Sequence, residues 1–111
     1  MESIVEKTLL YDFYGALLTE HQRTLYADVT FNDMSLSEAA EVYGISRQGV
    51  HDLLKRCDAA LRDYEDKLKL VAQYENEKKL VAEMRTLLSS EGTEKDGLFT
   101  LLAELEHEIE R

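Results

Sequence analysis

The run Ser35–Arg62, SLSEAAEVYGISRQGVHDLLKRCDAALR, constrains the fold of this chain more than any other stretch. Ser35 with Glu38 three residues later is a capping box: the hydroxyl accepts an orphan helix N–H and the carboxylate reaches back. Leu36, Ala39, Ala40 and Tyr43 follow at spacings of three and four and share one helix face. Gly44 stops this first helix, since a glycine enters the left-handed region without a Cβ clash. Ser46 caps a second helix, and Ile45 before it folds onto the pair as a staple. Two helices joined by three or four residues with a glycine in the turn have the pattern of a helix-turn-helix.

Wound at 100° per residue, the second helix sorts into two sides. Val50, Leu53, Leu54, Cys57, Leu61 and Tyr64 fall on one, and Arg47, Gln48, His51, Lys55 and Arg62 on the other. Small Ala40 is expected to let the two helices cross closely. A recognition helix presents its first turns to the major groove. Arg47, Gln48 and His51 stand there, with Ser46 and the free N–H groups at the helix start suited to a backbone phosphate. Lys55 and Arg62, farther along, are expected to meet phosphates rather than bases. Asp52 adjoins this reading face, and Asp58 is expected to project on the same side two turns on.

The stretch Ser35–Arg62 resembles the helix-turn-helix of region 4 of bacterial sigma factors, which reads promoter DNA. The longer run LLTEHQRTLYADVTFNDMSLSEAAEVYGISRQGVHDLLKR, continuing to Tyr64 and Glu65, resembles the YlxM-like family (UPF0122-type), with SRQGV at Ser46–Val50 its most specific piece. Members are small bacterial proteins often encoded beside the signal-recognition-particle GTPase and linked to regulation of that pathway. The resemblance implies a sigma-region-4-like, three-helical core. It also implies either transcription regulation or an accessory role in the signal recognition particle pathway.

With 111 residues and no proline, the chain is expected to form a single all-α domain, 1–111, with long unbroken helices. Within it, 19–62 is expected to form the helix-turn-helix core and 63–111 a helical extension, a candidate dimerisation element. Ser3 with Glu6 and Thr19 with Gln22 are two further capping boxes. The first predicts a helix from about Ile4 to Leu18 that buries Val5, Leu9, Phe13, Ala16 and Leu17. Leu10, Tyr14 and Leu18 widen that stripe. The second starts a helix carrying Leu25, Tyr26 and Val29, and Phe31 and Met34 in the following connection plug the core.

From Arg47 no stop signal occurs before Ser89-Ser90-Glu91-Gly92, which predicts one helix of about forty residues. Leu61, Tyr64, Leu68 and Val71 step along it as a seam would. The phase then slips at Glu75 and Lys78, and the row resumes at Tyr74, Val81, Met84 and Leu88. A last helix after Thr93 carries Leu98, Leu101, Leu102, Leu105 and Ile109 on one face. These stripes exceed what one copy can cover, and a homodimer is expected.

Thirteen basic against twenty-three acidic side chains give a net charge of −10, which opposes adventitious binding of phosphates. The balance is uneven: 46–62 is locally basic and 91–111 strongly acidic. A basic element in an acidic body still docks on double-stranded DNA, but weakly unless a dimer doubles the contacts. The lone Cys57 forms no intramolecular disulfide and suits a reducing cytoplasm, and no apolar run is long enough to insert into a membrane. No phosphate-cradling glycine loop, HExxH or CxxC is present, and His21, His51 and His107 lie on separate predicted helices. No catalytic, cofactor or metal site is nominated, and the expectation is a non-enzyme. Two functions remain: a DNA-binding regulator, or a non-catalytic protein- or RNA-binding component of the signal recognition particle pathway.

Overall fold

A computed structural model describes residues 3–89 and 95–110, which form six α-helices, one 3-10 turn and their connections. They pack as two compact units, Met1–Lys69 and Leu70–Arg111. The first contains α1 (Ile4–Tyr14), a 3-10 turn (Gly15–Leu17), α2 (Glu20–Thr30), α3 (Leu36–Tyr43) and α4 (Arg47–Leu68).

Local chemistry sets where these helices begin. Thr19 and Gln22 exchange both capping hydrogen bonds at 3.2 Å. Ser35 and Glu38 do so at 3.1 and 3.4 Å. At Ser3 the hydroxyl accepts the Glu6 N–H at 3.2 Å, while the Glu6 carboxylate lies 3.9 Å from Arg62 of α4. Each cap satisfies a donor that the first helical turn leaves open, a contribution of about 1 kcal/mol.

α2, α3 and α4 close around Leu25, Ala39 and Val50, none of which has any exposed surface. Val29, Met34, Leu36, Tyr43, Ile45, Leu53 and Leu54 surround them. Burying a leucine or valine side chain stabilises by about 1.5–3 kcal/mol, so this cluster fixes the angle at which α4 leaves the turn. The alanine at the centre of the crossing is Ala39 rather than Ala40, which is half-buried at the edge of the cluster.

Three tyrosine hydroxyls tie the helices together, each donating to a carboxylate on another helix. Tyr43 of α3 donates to Asp28 of α2 at 2.6 Å, Tyr26 of α2 to Asp58 of α4 at 2.7 Å, and Tyr14 of α1 to Glu65 of α4 at 2.5 Å. Hydroxyl-to-carboxylate bonds of this length are roughly twice as strong as neutral ones. Burial, and then the hydrogen bond to Asp28 and its charge, push the Tyr43 hydroxyl up to about 12, so it remains a donor across the ordinary pH range. Asp58 was expected on the reading face. It is instead half-buried, bonded to Tyr26 and 3.9 Å from Lys7, because α1 and α2 pack against that side of α4.

α1 departs from its expected pattern. The α-helix stops at Tyr14, and its buried residues are Leu10 and Tyr14, with Leu18 just beyond the 3-10 turn. Val5 and Leu17 are more than half exposed, and Phe13 lies at the surface. The stripe taken as secondary is the core stripe, because α1 lies alongside α4 with Lys7 near Asp58 and Tyr14 on Glu65. Tyr11 completes this side, stacked on Tyr26 and edge-on to Phe31. Cys57 is fully buried, and burial, followed by the charge of Asp58, pushes its thiol up.

The single helix expected from Arg47 is divided. α4 ends at Leu68, Lys69 takes the left-handed conformation with φ 58°, and α5 (Leu70–Ser89) begins immediately after it. A lysine in that conformation costs about 1–2 kcal/mol, small enough to be borne where neither glycine nor proline marks the site. Leu70, Tyr74 and Val81 are each more than a third exposed, and α5 buries Val71 and Leu80 instead. The break at Lys69 lies more than a turn before Glu75 and Lys78, where the sequence pattern slips. Leu68, placed in the expected seam, is half exposed.

In the second unit α5 packs antiparallel against α6 (Lys95–Ile109), with Leu87 near Gly97 and Asn76 near Glu104 and His107. Among the described residues, Val71, Leu80 and Leu101 are buried there. The stop signal beyond Ser89 and the Thr93 start lie outside the described residues.

Candidate nucleic-acid interface

The turn between α3 and α4 places the candidate residues. Gly44 adopts φ 68°, and its N–H returns to the Ala40 carbonyl. That conformation strains any residue with a Cβ, so the turn requires glycine here. The Ile45 N–H also reaches the Ala40 carbonyl, at 3.0 Å. The Ser46 hydroxyl then accepts the Gly49 N–H at 2.9 Å and starts α4. A Cβ on Gly49 would stand 3.1 Å from that hydroxyl, so the glycine leaves room for the cap.

With Val50 and Leu53 turned into the core, the opposite side of α4 is open. Ser46, Arg47, Gln48, His51 and Lys55 are all exposed, within the first two and a half turns of α4. The structure thus brings together five of the six residues nominated from sequence. Arg62 is separated from them: it is half-buried, with its guanidinium 3.9 Å from Glu6 of α1. Helical winding alone put it on the polar side. The covering of that side by α1, beyond Lys55, is a tertiary fact.

Asp52 belongs to the face as well. It accepts a hydrogen bond from Gln48 Nε2 at 2.9 Å, and His51 Nδ1 lies 3.7 Å from the same carboxylate oxygen. The Gln48/Asp52 spacing of four was the available signal for this pair. Electrostatically the surface is mixed: Arg47 and Lys55 supply positive charge, and Asp52 sets one negative charge between them. Among the described residues no group of three or more His, Cys, Asp or Glu side chains is gathered to hold a metal ion, and no helix is long and apolar enough to cross a membrane.

An exposed, serine-capped helix held over a three-helical core by a glycine turn defines a helix-turn-helix protein. Residues 1–99 match the family model described as "Putative helix-turn-helix protein, YlxM / p13 like", and the chain belongs to this UPF0122 family. It is 42% identical over 91 residues to a UPF0122 protein of Bacillus mycoides, covering 82% of this chain and 83% of that one. A UPF0122 protein of Caldanaerobacter subterraneus is 49% identical over 78 residues, covering 70% and 67%. One of Symbiobacterium thermophilum is 42% identical over 88 residues, covering 79% and 82%.

Proposed function

We propose that this chain is a DNA-binding regulatory protein of the cytoplasm that lays α4 in the major groove of double-stranded DNA. The observation that carries this reading is the grouping of Arg47, Gln48, His51 and Lys55 on the open side of a helix whose other side is locked in a three-helical core. Donors of these types match phosphate oxygens and the acceptors on guanine and adenine edges. In this reading Arg47 and Gln48 meet bases, Ser46, His51 and Lys55 meet phosphates, and Arg62 reaches a phosphate only by leaving Glu6. The resemblance to YlxM-like proteins directs the regulation toward genes of the signal recognition particle pathway.

Lys55→Ala tests the phosphate assignment. It is expected to weaken binding to all duplexes alike and make the dependence of log K on log salt shallower by about one unit. An unchanged slope would remove Lys55 from the interface.

The net charge of −10 and the carboxylate of Asp52 on the face favour a second reading. There the motif is a scaffold, and the chain binds a protein or RNA component of the signal recognition particle pathway.

The reading includes a homodimer formed through the second unit, residues within 63–111. Two helices alone cover little of each other: Val81, Leu88, Phe99, Leu102 and Ile109 are all more than two-fifths exposed. An apolar groove of about 600 Å³ runs beside Ala82, Thr86, Leu87, Gly97 and Leu101. A second copy would cover this surface and present two recognition helices to two half-sites. Sedimentation is expected to show a dimer for the parent and a monomer for Leu102→Glu. A monomeric parent at all accessible concentrations would contradict it.

A further inference from the structure

Gln48 and Asp52 stand one turn apart on the open face of α4, joined by a hydrogen bond of 2.9 Å from Gln48 Nε2 to Asp52 Oδ1. Both are exposed, and neither belongs to the core. An ionised carboxylate only accepts hydrogen bonds. Asp52 therefore decides which way the Gln48 amide points: its nitrogen must face the carboxylate. One N–H of Gln48 is used in that bond, which leaves one N–H and the carbonyl oxygen for another partner.

That remaining pair is what an adenine edge requires. Adenine offers the N6 amino group as donor and N7 as acceptor in the major groove, and a glutamine amide meets both at once. Guanine offers two acceptors, O6 and N7, and suits a residue with two donors. Gln48 with one donor already occupied is mismatched to it. Building on the DNA-binding reading above, we infer that Asp52 is a positioning residue that orients the Gln48 amide and makes Gln48 select adenine. Asp52 also places a negative charge close to the phosphates, so it exchanges overall affinity for discrimination. His51 Nδ1 is 3.7 Å from the same Asp52 oxygen, beyond hydrogen-bond distance, while Gln48 Nε2 is bonded to it at 2.9 Å.

The test is selection from a pool of randomised DNA duplexes, followed by sequencing of the bound fraction for each protein. The parent is expected to show an adenine position that Gln48→Ala loses, with a preference over guanine of about tenfold or more. Asp52→Ala should lose the preference at that position alone, to below about threefold, while binding the whole pool more tightly because a negative charge has gone. Asp52→Glu keeps an acceptor-only anion one turn from Gln48 and should restore the adenine preference. A structural role for Asp52 predicts neither the single-position loss nor that rescue. If Asp52→Ala retains the adenine that Gln48→Ala loses, the positioning role is overturned and DNA binding stands. If the position lost with Gln48→Ala is not adenine, the amide orientation is wrong. If the parent retains no duplex from the pool, the DNA-binding reading fails, and this inference with it.

Discussion

Leu25→Ala is expected to lower the unfolding free energy by about 2–5 kcal/mol, the cost of emptying a buried leucine site that the surroundings refill only in part. Leu25 has no exposed surface and meets Ala39 and Val50 where three helices converge, so no single side chain can move to fill the space. Against a total stability of about 5–15 kcal/mol, this is a large fraction. Leu53→Ala should cost less, since Leu53 is only half-buried at the rim of the same cluster. Urea unfolding measures both as shifts of midpoint at constant slope. A Leu25→Ala midpoint equal to that of the parent would show that α2 does not support the motif as described.

Arg47→Ala and Gln48→Ala are expected to cost about 1–3 kcal/mol each on the preferred duplex, and to relax discrimination at separate base pairs. Both side chains are exposed in the first turn of α4 and lie outside the buried cluster, so neither change disturbs the core. Unaltered unfolding midpoints with altered base preference would separate reading from folding. Competition between the preferred duplex and variants of it, read by fluorescence anisotropy, gives the discrimination directly. Losses that are equal for all sequences would leave Arg47 and Gln48 as electrostatic contacts only.

The helix-turn-helix was legible in the sequence because its signals are local. Ser35, Glu38, Gly44 and Ser46 act within four residues of themselves, and the structure shows each cap and the left-handed glycine where the pattern put them. The sorting of α4 also held at Val50, Cys57 and Leu61, since helical periodicity assigns faces without knowledge of the neighbour. What escaped depends on which neighbour arrives. α1 has two adjacent apolar stripes, and only packing against α4 selects Leu10 and Tyr14 over Val5 and Phe13. Asp58 and Arg62 wind onto the polar side of α4, yet Tyr26, Lys7 and Glu6 engage them there.

Glu65 shows the same limit. An acidic residue on a highly charged helix reads as solvated, but it is buried and accepts the Tyr14 hydroxyl. The break at Lys69 escaped for another reason. A left-handed residue with a side chain costs little enough to occur without glycine, so no glycine or proline marks it. For the candidate interface, residue types and order along α4 were readable. The bond between Gln48 and Asp52 was available only as a spacing.

The central claim, that α4 is a DNA-reading helix, is tested most directly by titrating the parent chain against duplex DNA at low salt and then raising the salt. Saturable binding is expected, with log K falling linearly against log salt by several units for the phosphates neutralised around Ser46, His51 and Lys55. Absence of measurable binding to any duplex at low salt would contradict it.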